Sequence, residues 1–168
     1  MISERVRFGA LFVVMGFGMV AGGQIVSTAP RANASTRVQA VAYLFPEQVS
    51  LPAGKATQVD LHFRVAEGLH INSHAPGRGE LIPTIFSIPE GAGVRLVEAG
   101  YPAGETISLA ADPGTRLNVY TGEFVIRARI VSQAGNHLVE GQLRYQACNQ
   151  TQCLPPKTLA APIDVIGK

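Results

Sequence analysis

The stretch Thr57-Gln58-Val59-Asp60-Leu61-His62-Phe63-Arg64-Val65 alternates apolar and polar residues from Val59 onward. In an extended chain, the apolar residues Val59, Leu61, Phe63 and Val65 fall on one face. The polar residues Asp60, His62 and Arg64 fall on the other. A period of two is typical of a β-strand that packs one face on a hydrophobic core and exposes the other to solvent.

Two later stretches, Gly122 to Val131 and His137 to Ala147, repeat this alternation. Their predicted inward residues are Phe124, Ile126, Ala128, Ile130, Val139, Leu143, Tyr145 and Ala147. Weaker strand candidates are Val38 to Leu44, Gln48 to Leu51, Leu69 to Asn72, Thr84 to Ile88, Val94 to Ala99 and Thr158 to Val165. Pro- and Gly-containing turn signals, among them Asp112-Pro113-Gly114, separate the candidates. The pattern predicts an all-β, immunoglobulin-like antiparallel β-sandwich, with a closed barrel as the alternative.

The N-terminal residues 1–34 have the three features of a secretory signal peptide. Arg5 and Arg7 precede an apolar, glycine-rich run from Phe8 to Gly23, and Ala32-Asn33-Ala34 has the small-x-small form of a cleavage site. Because Gln24 to Val26 lengthen the apolar run, an uncleaved membrane anchor is the alternative. We therefore expect one β-sandwich domain over residues 35–168, in the periplasm or otherwise exported, with membrane attachment only through an uncleaved signal.

Charge excludes one class of partner. The chain has 14 Lys and Arg residues and 12 Asp and Glu residues, and removal of the predicted signal leaves 11 of each. No basic run longer than the spaced pair Arg127 and Arg129 remains, so nucleic-acid binding has no electrostatic support.

The only two cysteines lie close together in Cys148-Asn149-Gln150-Thr151-Gln152-Cys153, which Leu154-Pro155-Pro156 follows. A disulfide here would close a ring of about six residues, contribute about 2 kcal/mol and join no distant strands. The spacing is compatible with a redox-active pair, because a resolving thiol lies beside the exchanging one. It is equally compatible with an inert disulfide in an exported protein. Arg144, Lys157 or His137 are candidates to favour a thiolate.

Metal and hydrolytic sites receive little support from the sequence. His70 and His74 with a cysteine would suggest copper, but all three methionines, Met1, Met15 and Met19, lie in the predicted signal. We expect His70 to pack or form a hydrogen bond at a strand end and His74 to be exposed. No nucleophile elbow, zinc-protease motif or phosphate-binding loop is present, and we predict no metal and no cofactor.

The segment Tyr145 to Pro156 (YQACNQTQCLPP) resembles the active-site hairpin of the N-terminal periplasmic domain of the thiol:disulfide interchange protein DsbD. Leu69 to Ser73, Leu81 to Thr84 and Val119 to Phe124 are similar to other parts of that family, so the likeness spans about Val41 to Val165. It implies an immunoglobulin-like fold and a cysteine pair that cycles between dithiol and disulfide. It also implies that Cys153 forms the mixed disulfide with partners and that Cys148 resolves it.

The same resemblance implies a thioredoxin-like or DsbD-type electron donor and periplasmic thiol-disulfide proteins as acceptors. It places a shielding cap at Ile107 to Leu117, where no aromatic residue is present and Leu109 is the candidate substitute. Because the sequence ends at Lys168, we expect a protein thiol-disulfide oxidoreductase that acts with a separate reductant. The alternative is an immunoglobulin-like binding or accessory domain with a purely structural disulfide.

Overall fold

The computed structural model describes residues 39–44, 48–109 and 112–168, and the predicted signal, residues 1–34, lies outside them. Within the described residues the chain forms β-strands and turns, and no helix there is long and apolar enough to span a bilayer. The strands are β1 (Val41–Leu44), β2 (Val49–Leu51), β3 (Thr57–Val65), β4 (His70–Asn72), β5 (Ile85–Ser87), β6 (Val94–Gly100), β7 (Glu105–Leu109), β8 (Asp112–Tyr120), β9 (Glu123–Ser132), β10 (Gly135–Tyr145), β11 (Ala147–Cys148) and β12 (Lys157–Gly167).

These strands form three open sheets with the orders β1-β3-β9-β6, β2-β12-β10-β5 and β11-β4-β8-β7. Neighbouring strands are antiparallel except for β12 and β2, which pair in parallel. The prediction of an all-β, immunoglobulin-like fold is confirmed. A closed barrel is wrong for the described residues, because each sheet has two edge strands.

A single hydrophobic cluster holds the sheets together. β3 contributes Leu61 and Phe63, while Asp60 and His62 are exposed, as the alternation predicted. The other inward residues predicted for β9 and β10 are also buried. Full burial of an aliphatic or aromatic side chain contributes about 1.5–3 kcal/mol, so these alternating faces account for the choice of register.

The third sheet carries Cys148 and differs from the prediction at β7 and β8, neither of which the sequence pattern predicts. The Asp112-Pro113-Gly114 segment, predicted as a turn, belongs to β8. The pairing of β8 with β7 shifts register between Ser108↔Arg116 and Leu109↔Asp112, so Pro113 and Gly114 lie in a bulge or irregularity of the ladder. Proline is tolerated here because it lies in this irregularity, where the regular ladder with β7 is interrupted. The predicted cap is therefore an arm of two paired strands, and the side chain of Leu109 lies outside the described ones.

Candidate functional site

Cys148 and Cys153 form a disulfide between two directly opposed backbone positions. Cys148 ends β11, and Cys153 pairs with it through an isolated antiparallel bridge. The two Cα atoms are 3.9 Å apart, and the sulfurs are bonded. The chain thus makes a tight hairpin of which the disulfide is the cross-link.

Asn149 organises the loop inside this ring. Its Oδ1 accepts hydrogen bonds from the backbone N–H of Thr151 at 2.9 Å and of Gln152 at 2.8 Å. It also accepts one from the Thr151 hydroxyl at 3.0 Å, and its own backbone N–H donates to Gln152 O at 2.9 Å. Asparagine commonly forms such local turns because its short side chain reaches the backbone two or three residues on. The loop conformation therefore has hydrogen-bonded support besides the disulfide.

The base of the hairpin is joined to the sheet on both sides. The backbone N–H of Leu154 donates to Ala147 O at 2.8 Å, and Gln146 Nε2 donates to Leu154 O at 3.2 Å. The buried Asn72 of β4 donates through Nδ2 to Ile82 O at 3.0 Å and through its backbone N–H to Gln146 O. These hydrogen bonds fix the position of the two cysteines relative to β4.

The two sulfur-bearing residues have opposite environments. Cys148 is 2% exposed and belongs to the buried residues of the third sheet, whereas Cys153 is exposed. Gln150, Thr151 and Gln152 are exposed as well, as expected for this polar loop. A reagent or protein approaching from solvent therefore meets Cys153 first.

His70 is the direct cross-strand neighbour of Cys148 on the side away from Cys153. Its side chain is 4% exposed, and Nε2 has no hydrogen-bond partner among the described residues. Burial lowers the pKa of His70 from its ordinary value, because the charged imidazolium loses hydration there. At neutral pH the ring is therefore an uncharged imidazole.

An open surface cavity of about 640 Å³ lies beside this group. Its lining includes His70, the first residue of β4, and Leu69 just before it, together with Ile107 from β7 and Gln150 from the cysteine loop. The arm predicted as a cap therefore borders the same cavity as the cysteine loop. Arg64 and Glu123 line it too and form an exposed ion pair at 2.5 Å.

The cations proposed from sequence form no contact with the cysteine loop that the described residues record. Arg144 and Lys157 form no ion pair or hydrogen bond with the cysteine loop among the described side chains. His137 lies eight residues along β10 from Tyr145, about 27 Å by the rise of an extended strand. Sequence reasoning named His70 but missed its place beside Cys148, since that depends on pairing between strands 78 residues apart.

His70 and His74 do not come together with a cysteine as a metal site. His74 is exposed, as expected, stacks on Tyr101 with ring centroids 3.8 Å apart, and places Nδ1 3.1 Å from Thr84 O. Within residues 39–44, 48–109 and 112–168, no group of three or more His, Cys, Asp or Glu side chains is arranged to bind a metal ion.

Comparison with known families identifies the chain. Residues 37–164 match the family model described as thiol:disulfide interchange protein DsbD, N-terminal. The chain belongs to this family. The matched range includes both cysteines, His70 and all strands from β1 to the greater part of β12, so the DsbD N-terminal family assignment covers the whole site.

Solved structures extend the comparison to the fold. The N-terminal periplasmic domain of ScsB from Proteus mirabilis matches with a TM-score of 0.51 and 15% identity, covering 74% of this chain and 51% of that one. This chain thus spans about half of that structure, and the likeness supports a common fold. The reduced DsbD N-terminal domain from Neisseria meningitidis matches with a TM-score of 0.43 and 19% identity, covering 65% of this chain and 76% of that one. A comparison with curated proteins finds no match.

Proposed function

We propose that this DsbD N-terminal family member is an exported thiol:disulfide exchange module that passes reducing equivalents to partner proteins through Cys148 and Cys153. Cys153 forms the mixed disulfide, and Cys148 resolves it. The observation that carries the proposal is the difference in exposure within one disulfide, 2% for Cys148 against an exposed Cys153. Exchange requires one accessible sulfur to attack the partner and a second sulfur close enough to displace it, and burial of Cys148 leaves Cys153 as the accessible one.

The transfer is a two-electron exchange in two displacements. The Cys153 thiolate attacks the partner's disulfide, so that a Cys153–partner bond forms and the first partner sulfur leaves and takes up a proton. The Cys148 thiolate then attacks Cys153 Sγ, which forms the Cys148–Cys153 bond and releases the second partner sulfur. The partner gains two electrons and two protons, and a separate dithiol donor regenerates the module by the reverse chemistry.

Family membership supports the class of partner and the compartment. The ScsB domain that it resembles in fold is described as periplasmic, and the family is named for thiol:disulfide interchange. These likenesses support the proposal that the chain acts in the periplasm, with a thioredoxin-like or DsbD-type protein as electron donor. Other periplasmic thiol-disulfide proteins are the acceptors.

The competing function is an accessory domain in which the disulfide only stiffens its loop. The reduction potential of the Cys148–Cys153 pair separates the two functions. It is measured by equilibrating protein, purified after export with its own N-terminal segment, in graded thiol buffers and counting alkylated cysteines by mass. A value between about −200 and about −270 mV is the range of exchange proteins, whereas a value below about −300 mV indicates a structural bridge.

Trapping tests the separate roles of the two cysteines. Cys148→Ser should accumulate a mixed disulfide with a purified thioredoxin-like disulfide isomerase supplied in its oxidised form, because no resolving thiol remains. Cys153→Ser is the matched control and should accumulate far less, since its remaining sulfur is buried. Equal trapping by both variants, or none by either in folded protein, would contradict the proposed roles.

A further inference from the structure

Three residues form a row across the third sheet: His70 on β4, Cys148 on β11 and Cys153 beyond the loop. His70 pairs with Cys148, and Cys148 pairs with Cys153. Side chains at directly opposed positions of antiparallel strands lie on the same face, with Cβ atoms about 4.5–5.5 Å apart. Cys148 therefore stands between a buried imidazole and the exposed sulfur that it must attack.

Burial disfavours the reactive form of Cys148. A thiol attacks a disulfide only as the thiolate, and a site that is 2% exposed disfavours the charged form over the neutral thiol. Among the described residues no cation is paired with the cysteine loop. Resolution of the mixed disulfide thus needs a nearby group that removes the Cys148 proton as the sulfur attacks.

His70 has the properties that this step requires. Its Nε2 is buried and has no hydrogen-bond partner in the described part of the chain, so it is available to a proton donor on the same face of the sheet. Burial also lowers the pKa of His70, which keeps the ring neutral and able to accept a proton at neutral pH. Buried polar atoms in native proteins nearly always have partners, and an unpaired one therefore needs an explanation.

We propose that His70 is the general base for the resolving cysteine, Cys148; this rests on the exchange function proposed above. In the mixed disulfide, the Cys148 thiol gives its proton to the imidazole as its sulfur bonds to Cys153 Sγ. The bond between Cys153 and the partner breaks, and the partner's sulfur leaves with the bonding electron pair. The imidazolium then returns its proton to solvent or to the departing thiolate.

The charged groups around His70 leave it free for this role. Arg64, Glu67 and Glu123 share the cavity with it, and Arg64 and Glu123 are paired with each other. Glu105 of β7 accepts a hydrogen bond from Thr121, which also lines the cavity. None of these carboxylates is hydrogen-bonded to the His70 ring among the described residues.

The test follows ring closure with a small aromatic disulfide, dithiobis-nitrobenzoate, so that no protein partner is needed. Reduced protein mixed with one equivalent releases a first nitrothiobenzoate when Cys153 attacks. It releases a second when Cys148 displaces the one held on Cys153. His70→Gln should slow the second release by about 10²-fold at neutral pH and leave the first unchanged, since general base catalysis typically contributes about 10²- to 10⁴-fold. The deficit should shrink at alkaline pH, where Cys148 ionises without help.

The matched control is His62→Gln, which changes an exposed histidine on β3 and should alter neither release. Thermal unfolding of the oxidised variants checks that each is folded. The unaltered protein gives a second measurement that needs no variant. Its ring-closure rate should level off above the pKa of His70 instead of rising about tenfold per pH unit through neutrality, as unassisted thiolate attack would.

A tenfold rise per unit in the unaltered protein, or an unchanged second release in folded His70→Gln, would overturn the role of His70. Either result is distinct from failure of the exchange function. If the exchange function itself failed, Cys148→Ser would trap no thioredoxin-like isomerase, whatever the rate of ring closure with the small reagent.

Discussion

The pairing of β10 with β12 and that of β4 with β11 differ greatly in extent. β10 and β12 pair over eleven positions, from Gly135↔Gly167 to Tyr145↔Lys157. β4 and β11, which hold the candidate redox site, pair over two, Ala147↔Ile71 and Cys148↔His70. Both pairs supply buried residues to the core, but only the short one carries a cysteine of the proposed redox pair, Cys148.

This difference indicates how a redox change can stay local. Regions with few backbone bonds open at lower free energy than core strands, and binding or switching segments are drawn from them. The cysteine hairpin is supported by its own Asn149 turn and by a few bonds to β4. Breaking the disulfide should therefore loosen this hairpin while the β10–β12 pair stays intact.

The largest expected effect comes from damaging the long pair. Leu143 of β10 is fully buried, and Leu143→Ala should lower the free energy of unfolding by about 2–5 kcal/mol through lost burial and a cavity. Leu138 lies on the same strand but is 72% exposed, so Leu138→Ala should change it by less than about 0.5 kcal/mol. Urea unfolding of the oxidised proteins measures both changes. Similar losses of unfolding free energy in the two variants would show that burial of Leu143 does not contribute to stability as described.

Removing the disulfide should have a smaller effect than the core substitution. Cys148→Ser combined with Cys153→Ser should cost about 2 kcal/mol, because the ring constrains only about six residues of the unfolded chain. Hydrogen exchange should increase in β11 and the loop and stay unchanged in β10 and β12. Global unfolding on reduction would instead make the bridge essential to the fold.

The long strands β3, β9 and β10 were more predictable from sequence than the strands of the third sheet. In β3, β9 and β10 the alternation of apolar and polar residues follows from burial of one face, so a local pattern carries the information. β7 and β8 lack such a pattern, and Asp112-Pro113-Gly114 suggested a turn where the structure has a strand. Their pairing is settled by tertiary contacts that outweigh local turn preference.

Asn149→Ala should have an intermediate effect that is confined to the hairpin. The substitution removes three hydrogen bonds accepted by Oδ1. We expect a loss of about 1 kcal/mol in unfolding free energy, since the loop is largely exposed and water replaces part of the lost bonding. The dithiol–disulfide equilibrium, measured by alkylation, should shift toward the dithiol because the loop no longer holds the cysteines together.

Gln150→Ala is the control for this prediction, since Gln150 is exposed and its side chain forms no hydrogen bond in the described structure. It should leave both measurements unchanged. If Asn149→Ala and Gln150→Ala gave the same unfolding free energy and the same dithiol–disulfide equilibrium, the hydrogen bonds of Asn149 would not stabilise the loop. The disulfide alone would then hold its conformation.

At the candidate site, the sequence predicts the two cysteines as the reacting residues but does not predict that His70 is the cross-strand neighbour of Cys148. The spacing of Cys148 and Cys153 indicates a ring, and exposure of the polar loop follows from its composition. That Cys148 is buried and paired with His70 depends on β11 joining β4, a contact between distant parts of the chain. The turn stabilised by Asn149 could have been predicted from sequence, because asparagine at the start of a loop is a recognised turn signal.

The smallest expected effect is a change in how stability depends on pH. Burial lowers the pKa of His70 in the folded protein, so below about pH 6.5 the unfolded chain binds a proton that the folded chain does not. The free energy of unfolding should therefore fall as the pH drops below that value, and His70 should contribute no slope above it. Urea unfolding of the oxidised protein between about pH 5 and about pH 8 measures the slope, with the cysteines unable to titrate. His70→Gln should flatten the acid side of the curve and His62→Gln should not, since His62 is exposed. If His70→Gln left the pH dependence of the unfolding free energy unchanged, the His70 ring would be hydrated in the folded protein. The pairing of β4 with β11 would then not exclude water from the candidate site.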